Sequence, residues 1–301
     1  MSILYIVNQV PFHYEIIESV IREYPSILGS IKNPVTIYLN VSPDTSFQAY
    51  IEEKYPDVVF GVPQTYDFMI NCTVYPNTRM KRRSNDPHDF NPTIPNHFYI
   101  CHETCRRFKI FPNVLFVSPS SYKKRFSLTH LPFSEFPRRK TPYPIFAVQG
   151  NMHKHRRDFR LLARILKQVP SHYIFYVKLL GRGKLPQCLL PFRSKIIFKN
   201  NLNFVEYHRE FLDVYCLLPL LSPSKTPQYF KNKLSSSISY IEAYKLRSLM
   251  HEALHDIYPE LENVHTYSSP PEMLQKFVMI LDQFYLSKHQ SDQEKKNIYS
   301  G

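Results

Sequence analysis

The chain alternates between two kinds of segment, and it does so twice. Short apolar runs at residues 3–7, Val35–Val41, Val58–Phe60, Phe68–Val74, 98–101 and 114–117 are interleaved with segments of helical period at 13–24 and 46–55. In the first helical segment Ile16, Ile17, Val20, Ile21 and Tyr24 fall on one face. The alternation restarts after residue 144. Strands are predicted at 145–148, 173–180, 196–198, 214–221 and Val264–Tyr267, and helices at 158–168, 207–212 and 234–244. An amphipathic helix over 273–286, with Met273, Phe277, Ile280, Leu281 and Phe284 on one side, closes the series. Strands separated by helices predict parallel sheets wound with crossovers. Between the series, residues 131–144 hold Pro132, Pro137, Pro142, Pro144 and the run Arg138-Arg139-Lys140, the composition of a linker. The expected fold class is α/β, two Rossmann-like domains facing a cleft. Residues 1–140 form one domain and 141–301 the other, and the tail frays from Gln290.

Length and composition narrow the function. At 301 residues the chain has room for two modest domains. With 43% hydrophobic residues it is not a disordered polymer. No apolar run approaches the ~20 residues that span a bilayer, and the first twelve residues lack a basic head and a small-residue cleavage site. A cytoplasmic protein with no transmembrane segment is expected. Five cysteines, Cys72, Cys101, Cys105, Cys188 and Cys216, are odd in number and scattered, which fits a reducing compartment. Cys101 and Cys105 flank His102-Glu103 without a second ligand pair, so buried thiols are expected rather than a metal. The net charge is +13, yet residues 1–60 hold seven acidic and three basic residues. Basic clusters follow at residues 79–83, 106–107, 123–125, 138–140 and 154–157. A basic middle implies an anionic partner: nucleic acid, a membrane surface or a phosphorylated small molecule.

Three constellations can carry chemistry. Gln149-Gly150-Asn151, followed by Lys154, Arg156 and Arg157, lies where a strand gives way to a helix. Glycine there admits a ligand to the backbone, and a helix N-terminus attracts phosphate. The alternative is an exposed basic turn. Lys178-Leu179-Leu180-Gly181-Arg182-Gly183 either lines a diphosphate or turns the chain, and it lacks the third glycine of a dinucleotide fingerprint. The third is the most specific. In Tyr229-Phe230-Lys231-Asn232-Lys233-Leu234-Ser235-Ser236-Ser237, three hydroxyls and free backbone N–H groups meet beside Lys233. Ordinary capping would need one serine.

Gln149-Gly150…Arg156-Arg157, then Gly181-Arg182-Gly183, then Tyr229…Lys233-Leu234-Ser235-Ser236-Ser237…Glu242-Ala243-Tyr244 resembles the donor half of a GT-B glycosyltransferase over about residues 143–285. The low-glycine, Tyr/Phe/Asn-rich composition is also similar to that of sugar transferases of large algal DNA viruses. The resemblance implies a hexosyl- or pentosyltransferase of glycan biosynthesis that takes a nucleotide sugar, UDP-linked for example, as co-substrate. It implies donor-binding roles for Gly150, Arg156, Arg157, Lys178, Gly181, Tyr229, Lys233, Ser235, Ser236, Ser237 and Glu242. The Glu-x7-Glu pattern of many retaining relatives is absent, because Leu234 stands where the first glutamate would be. No Asp-x-Asp metal motif is present either.

Two functions follow. The first is an inverting transferase needing no metal or other cofactor, which moves the sugar to a hydroxyl of a glycan acceptor. Such an enzyme needs a base for the acceptor proton and positive charge on the departing diphosphate. His13, just after the first strand, is the first candidate base, as several inverting GT-B families carry a histidine at a similar place; a helix-terminal histidine without a role is the plain alternative. His102 is the second candidate, with Asp67 and Asp86 behind it. The second function is a basic nucleic-acid-binding protein, in which clustered cations and 22 Tyr with 22 Phe supply phosphate contacts and stacking. Most of these aromatics fall inside strand and helix patterns, and no known nucleic-acid module is present, which disfavours nucleic acid as the partner.

Overall fold

The computed structural model describes residues 2–8, 14–28, 35–41, 44–74, 93–101, 110–117, 131–153, 155–231 and 233–299. Six parallel strands make the first sheet: β1 (Ser2–Asn8), β2 (Val35–Val41), β3 (Val58–Phe60), β4 (Phe68–Val74), β5 (His97–Cys101) and β6 (Val114–Phe116), in the order β3-β2-β1-β4-β5-β6. Helix α1 (Tyr14–Leu28) connects β1 to β2, and α2 (Thr45–Lys54) connects β2 to β3. Strand β1 is apolar along its length because both of its faces are covered. Leu4 and Ile6 pack with Ile16, Ile17 and Val20 of α1, while Tyr5 and Val7 pack with Met69 and Tyr99 on the other side.

The second sheet has β7 (Ile145–Asn151), β8 (Tyr176–Arg182), β9 (Ile196–Asn200), β10 (Cys216–Leu217), β11 (Arg247–His251) and β12 (Val264–Tyr267). Its order is β12-β11-β10-β7-β8-β9, again all parallel. Numbered within each sheet, the two orders are the same, 3-2-1-4-5-6, the doubly wound arrangement. The helices of the rear part of the chain are, in order, α3 (Phe159–Gln168), α4 (Phe204–Arg209), α5 (Ser236–Ala243), α6 (Glu252–His255) and α7 (Pro270–Tyr299), of which α3, α6 and α7 belong with this sheet. Phe146 of β7 stacks on Phe277 of α7 at 4.1 Å between ring centroids, in a core with Leu162, Ile165 and Ile280.

Several elements depart from expectation: α6 was not predicted, and the helix expected at 207–212 is α4, Phe204–Arg209. Strand β11 was not predicted, because Arg247 and His251 bracket a run whose buried middle is only Ser248, Leu249 and Met250. Strand β10 keeps two residues of the expected 214–221, since Leu220 turns the chain at φ 51°. Helix α7 runs on to Tyr299 instead of fraying from Gln290.

The chain divides into two compact units, and the first break falls between Phe136 and Pro137. The first unit is Met1–Phe136 together with Leu202–Arg209 and Gln228–Tyr244, which carry α4 and α5. The second is Pro137–Asn201, Glu210–Pro227 and Lys245–Gly301. Residues 141–301 are thus not one continuous compact body. Phe204 of α4 is buried against Phe47 and Tyr14, and Ser46 Oγ accepts from its backbone N–H at 3.0 Å.

Candidate functional site

In a doubly wound sheet, ligands gather at the carboxyl ends of the strands where the order reverses. That point lies between β1 and β4 in the first sheet and between β7 and β10 in the second. In the first unit the chain leaves β1 at Asn8, and His13 lies outside the described residues, as do His102, Asp86, Lys154 and Asn232. Asp67 precedes β4, and its carboxylate accepts from the Ile3 N–H at 2.7 Å. It therefore sits at the amino ends of the strands, on the edge opposite a ligand.

In the second unit, β7 and β8 bring Gly150 and Gly181 into register. A Cβ on Gly181 would stand 1.9 Å from the Gly150 carbonyl oxygen, so this glycine exists for backbone approach between strands. Arg157 is buried and folds back: its Nε and Nη2 donate to the Gln149 carbonyl at 3.1 and 2.9 Å, and Nη1 donates to the Arg156 carbonyl at 2.8 Å. Its Nη2 lies 2.9 Å from where a Gly150 Cβ would be. Arg156 points to solvent. The first turn of α3 holds its own anion, since Asp158 accepts from the Leu161 N–H at 3.1 Å and pairs with Lys225 at 2.6 Å. Beside this turn lies a pocket of about 810 Å³. Met152, Phe159, Leu185 and Pro186 give it an apolar lining, and His153, His155, Arg160 and Lys184 bring cationic or imidazole groups. Sequence reasoning stopped at Arg157 and overlooked Arg160, Lys184 and Lys225; for Lys184 the signal available was its place just after the end of β8, while Arg160 and Lys225 reach the pocket only through the fold.

Lys178 is not at the ligand edge. It is buried within β8, and its ammonium meets Glu210 at 2.7 Å and Asp213 at 2.6 Å. Burial pushes the Glu210 carboxyl up, but Lys178 and Lys199 outweigh it and hold that group below its usual value.

The other predicted residues gather around α5, in the first unit. Tyr229 is buried in a single helical turn over Pro227–Phe230, and the Lys233 N–H donates to the Gln228 carbonyl at 3.0 Å. Ser235 is the N-cap of α5, with extended backbone and no side-chain capping bond. Its hydroxyl is buried without a hydrogen-bond partner among the described residues. Ser236 and Ser237 complete the first turn, which contains no acidic residue, and Glu242 lies half-buried further along the helix. Beneath α5, His208 stacks on Tyr240 and its Nδ1 lies 3.2 Å from the Tyr244 hydroxyl. That hydroxyl also donates to the Pro132 carbonyl. Burial lowers the His208 pKa to about 4, against a small raising influence of Glu15. Among the described residues no cluster of three or more His, Cys, Asp or Glu could hold a metal ion.

No protein-family profile matches the chain, and no curated protein matches it in sequence. Solved structures do match. A glycosyltransferase from Rickettsia africae is 12% identical with a TM-score of 0.53, over 93% of this chain and 88% of that one. The E. coli ADP-heptose LPS heptosyltransferase II is 12% identical with a TM-score of 0.52, over 95% and 100%. Anabaena HepE, in complex with UDP and glucose, is 10% identical with a TM-score of 0.51, over 94% and 89%. At these identities the likeness is one of fold: this chain is built, like those glycosyltransferases, as two Rossmann-like α/β units of the GT-B type.

Proposed function

We propose that the protein is a glycosyltransferase that moves a sugar from a nucleotide-sugar donor to a glycan hydroxyl, inverting at the anomeric carbon without a metal. The observation that carries the reading is the buried Ser235 hydroxyl at the start of α5, which has no hydrogen-bond partner among the described residues. A buried polar group without a partner costs roughly 1–3 kcal/mol, so its retention calls for a ligand. Backbone N–H groups of the first turn, the serine hydroxyls and Lys233 make that ligand an anion. The donor diphosphate is the anion assigned here, and the fold shared with HepE, whose structure contains UDP, supports the choice.

In the proposed reaction the acceptor oxygen attacks the anomeric carbon, and the bond from that carbon to the diphosphate oxygen breaks. The acceptor proton passes to His13 or, failing that, His102. Lys233 and the α5 N–H groups take up the charge on the leaving diphosphate, the contribution such a site makes largest. Thermal-shift titration with UDP, GDP and ADP tests the donor: one should raise the melting temperature, and Lys233→Ala should abolish the rise while leaving the unliganded protein unchanged. His13→Ala should lower turnover about 10²–10⁴-fold with nucleotide binding intact. No shift with any nucleotide would sink the reading, and a product keeping the donor's anomeric configuration by NMR would overturn inversion.

A further inference from the structure

From residue 159 to residue 201 the chain holds nine Lys and Arg and neither Asp nor Glu. This stretch builds α3, β8, the turns over Gln187–Lys195 and the edge strand β9. Strands β7, β8 and β9 are successive neighbours, so the two right-handed crossovers lay α3 and the 187–195 turns on one face of the second sheet. Leu189, Cys188 and Phe192 pack inward with Leu162 and Ile165 of α3.

The outward side of this layer is cationic. Arg160, Arg164 and Lys167 are exposed and stand at i, i+4 and i+7, one stripe along α3. Arg193 and Lys184 are exposed on the neighbouring turns. Arg160, Arg164, Lys167 and Lys184 form no ion pair with any described residue. The other four basic residues of the stretch are differently placed: Lys178 is buried on Glu210 and Asp213, Lys199 pairs with Glu210, Lys195 lies over the Phe175 ring, and Arg182 is exposed at the end of β8. Leu190, three residues before Arg193 in the same turns, has 54% of its surface in solvent.

We propose that this face docks the protein on an anionic phospholipid surface. A bilayer rich in acidic headgroups offers a broad negative sheet, which suits unpaired cations spread over a helix and its neighbouring turns. It also offers an apolar layer just beneath, which suits an exposed leucine in those turns. A nucleic acid would use the cations but leave Leu190 without a role. No helix among the described residues is long and apolar enough to cross a membrane, so the association is peripheral.

The test is co-sedimentation of the full chain with vesicles of phosphatidylcholine alone or with about one-third phosphatidylserine. Wild type should bind the anionic vesicles only, and salt should release it. The triple variant Arg160→Gln/Arg164→Gln/Lys167→Gln should bind about 100-fold more weakly, about fivefold per cation. Its circular dichroism and melting temperature should match wild type. Leu190→Ser should weaken binding further without changing its salt dependence. A control triple, Lys140→Gln/Lys245→Gln/Lys276→Gln, removes the same charge elsewhere and should bind as wild type. Equal loss in the control, or no binding of wild type at low salt, would overturn the proposal. Duplex DNA binding that the α3 triple abolishes, with vesicles ignored, would overturn it in favour of a nucleic acid.

Discussion

The N-termini of α3 and α5 follow the same sequence cue, a basic stretch entering a helix, yet they are furnished in opposite ways. At α3 the protein supplies the anion itself: Asp158 caps the first turn and binds Lys225, and Arg157 is tied to the Gln149 carbonyl. At α5 the N-cap Ser235 is buried and makes no capping bond, and no acid stands in the first turn. The difference teaches that charge next to a helix start does not identify a ligand site. What matters is whether the protein has already satisfied the exposed N–H groups.

The contrast can be broken at several points. The largest effect is expected at Gly181. If its role is contact between strands, Gly181→Ala should cost more than about 3 kcal/mol, because the obstacle is the rigid Gly150 carbonyl. Denaturant unfolding measures this, and a stable variant impaired only in nucleotide binding would return the turn to the ligand.

Next comes His208, which underpins α5. Its folded pKa of about 4 lies below the ordinary 6.5, so the unfolded chain takes up the proton first as pH falls. Stability is full above pH 6.5 and should decline by about 3 kcal/mol as pH falls to 4. His208→Phe should flatten that part of the pH profile. An unchanged profile would mean that His208 does not link α5 to pH.

The smallest effects are the most discriminating. Asp158→Ala removes a cap in use and should cost about 1 kcal/mol with nucleotide binding unchanged. Ser235→Ala removes a hydroxyl that has no partner among the described residues and should raise the stability of the unliganded protein by about 1 kcal/mol, yet weaken nucleotide binding severalfold. Reversal of the two phenotypes would exchange the roles of the helices.

The sequence made the architecture legible because parallel strands covered on both faces are continuous apolar runs, as at β1 and β7. It hid β11, whose ends are Arg247 and His251 and whose buried middle includes Ser248. Lys178 was legible as a cation after an apolar run, but its partners Glu210 and Asp213 lie more than thirty positions away and only the fold brings them together. Gly181 was legible as a special backbone position, while the close approach of the neighbouring strand depends on the pairing of β7 with β8. Ser235, Ser236 and Ser237 were legible as the start of a helix from local chemistry alone, since a helix start is set within one turn.

The composition of the first unit has a consequence for biosynthesis. Its core takes in Phe204, and the unit includes residues up to Tyr244. The front sheet therefore leaves the ribosome well before its core can close. A fragment ending at residue 140 would expose Phe47 and Tyr14 where Phe204 belongs. Such a fragment should aggregate when expressed, and the intact chain should depend on its later segments to complete the earlier ones, folding after synthesis rather than in step with it.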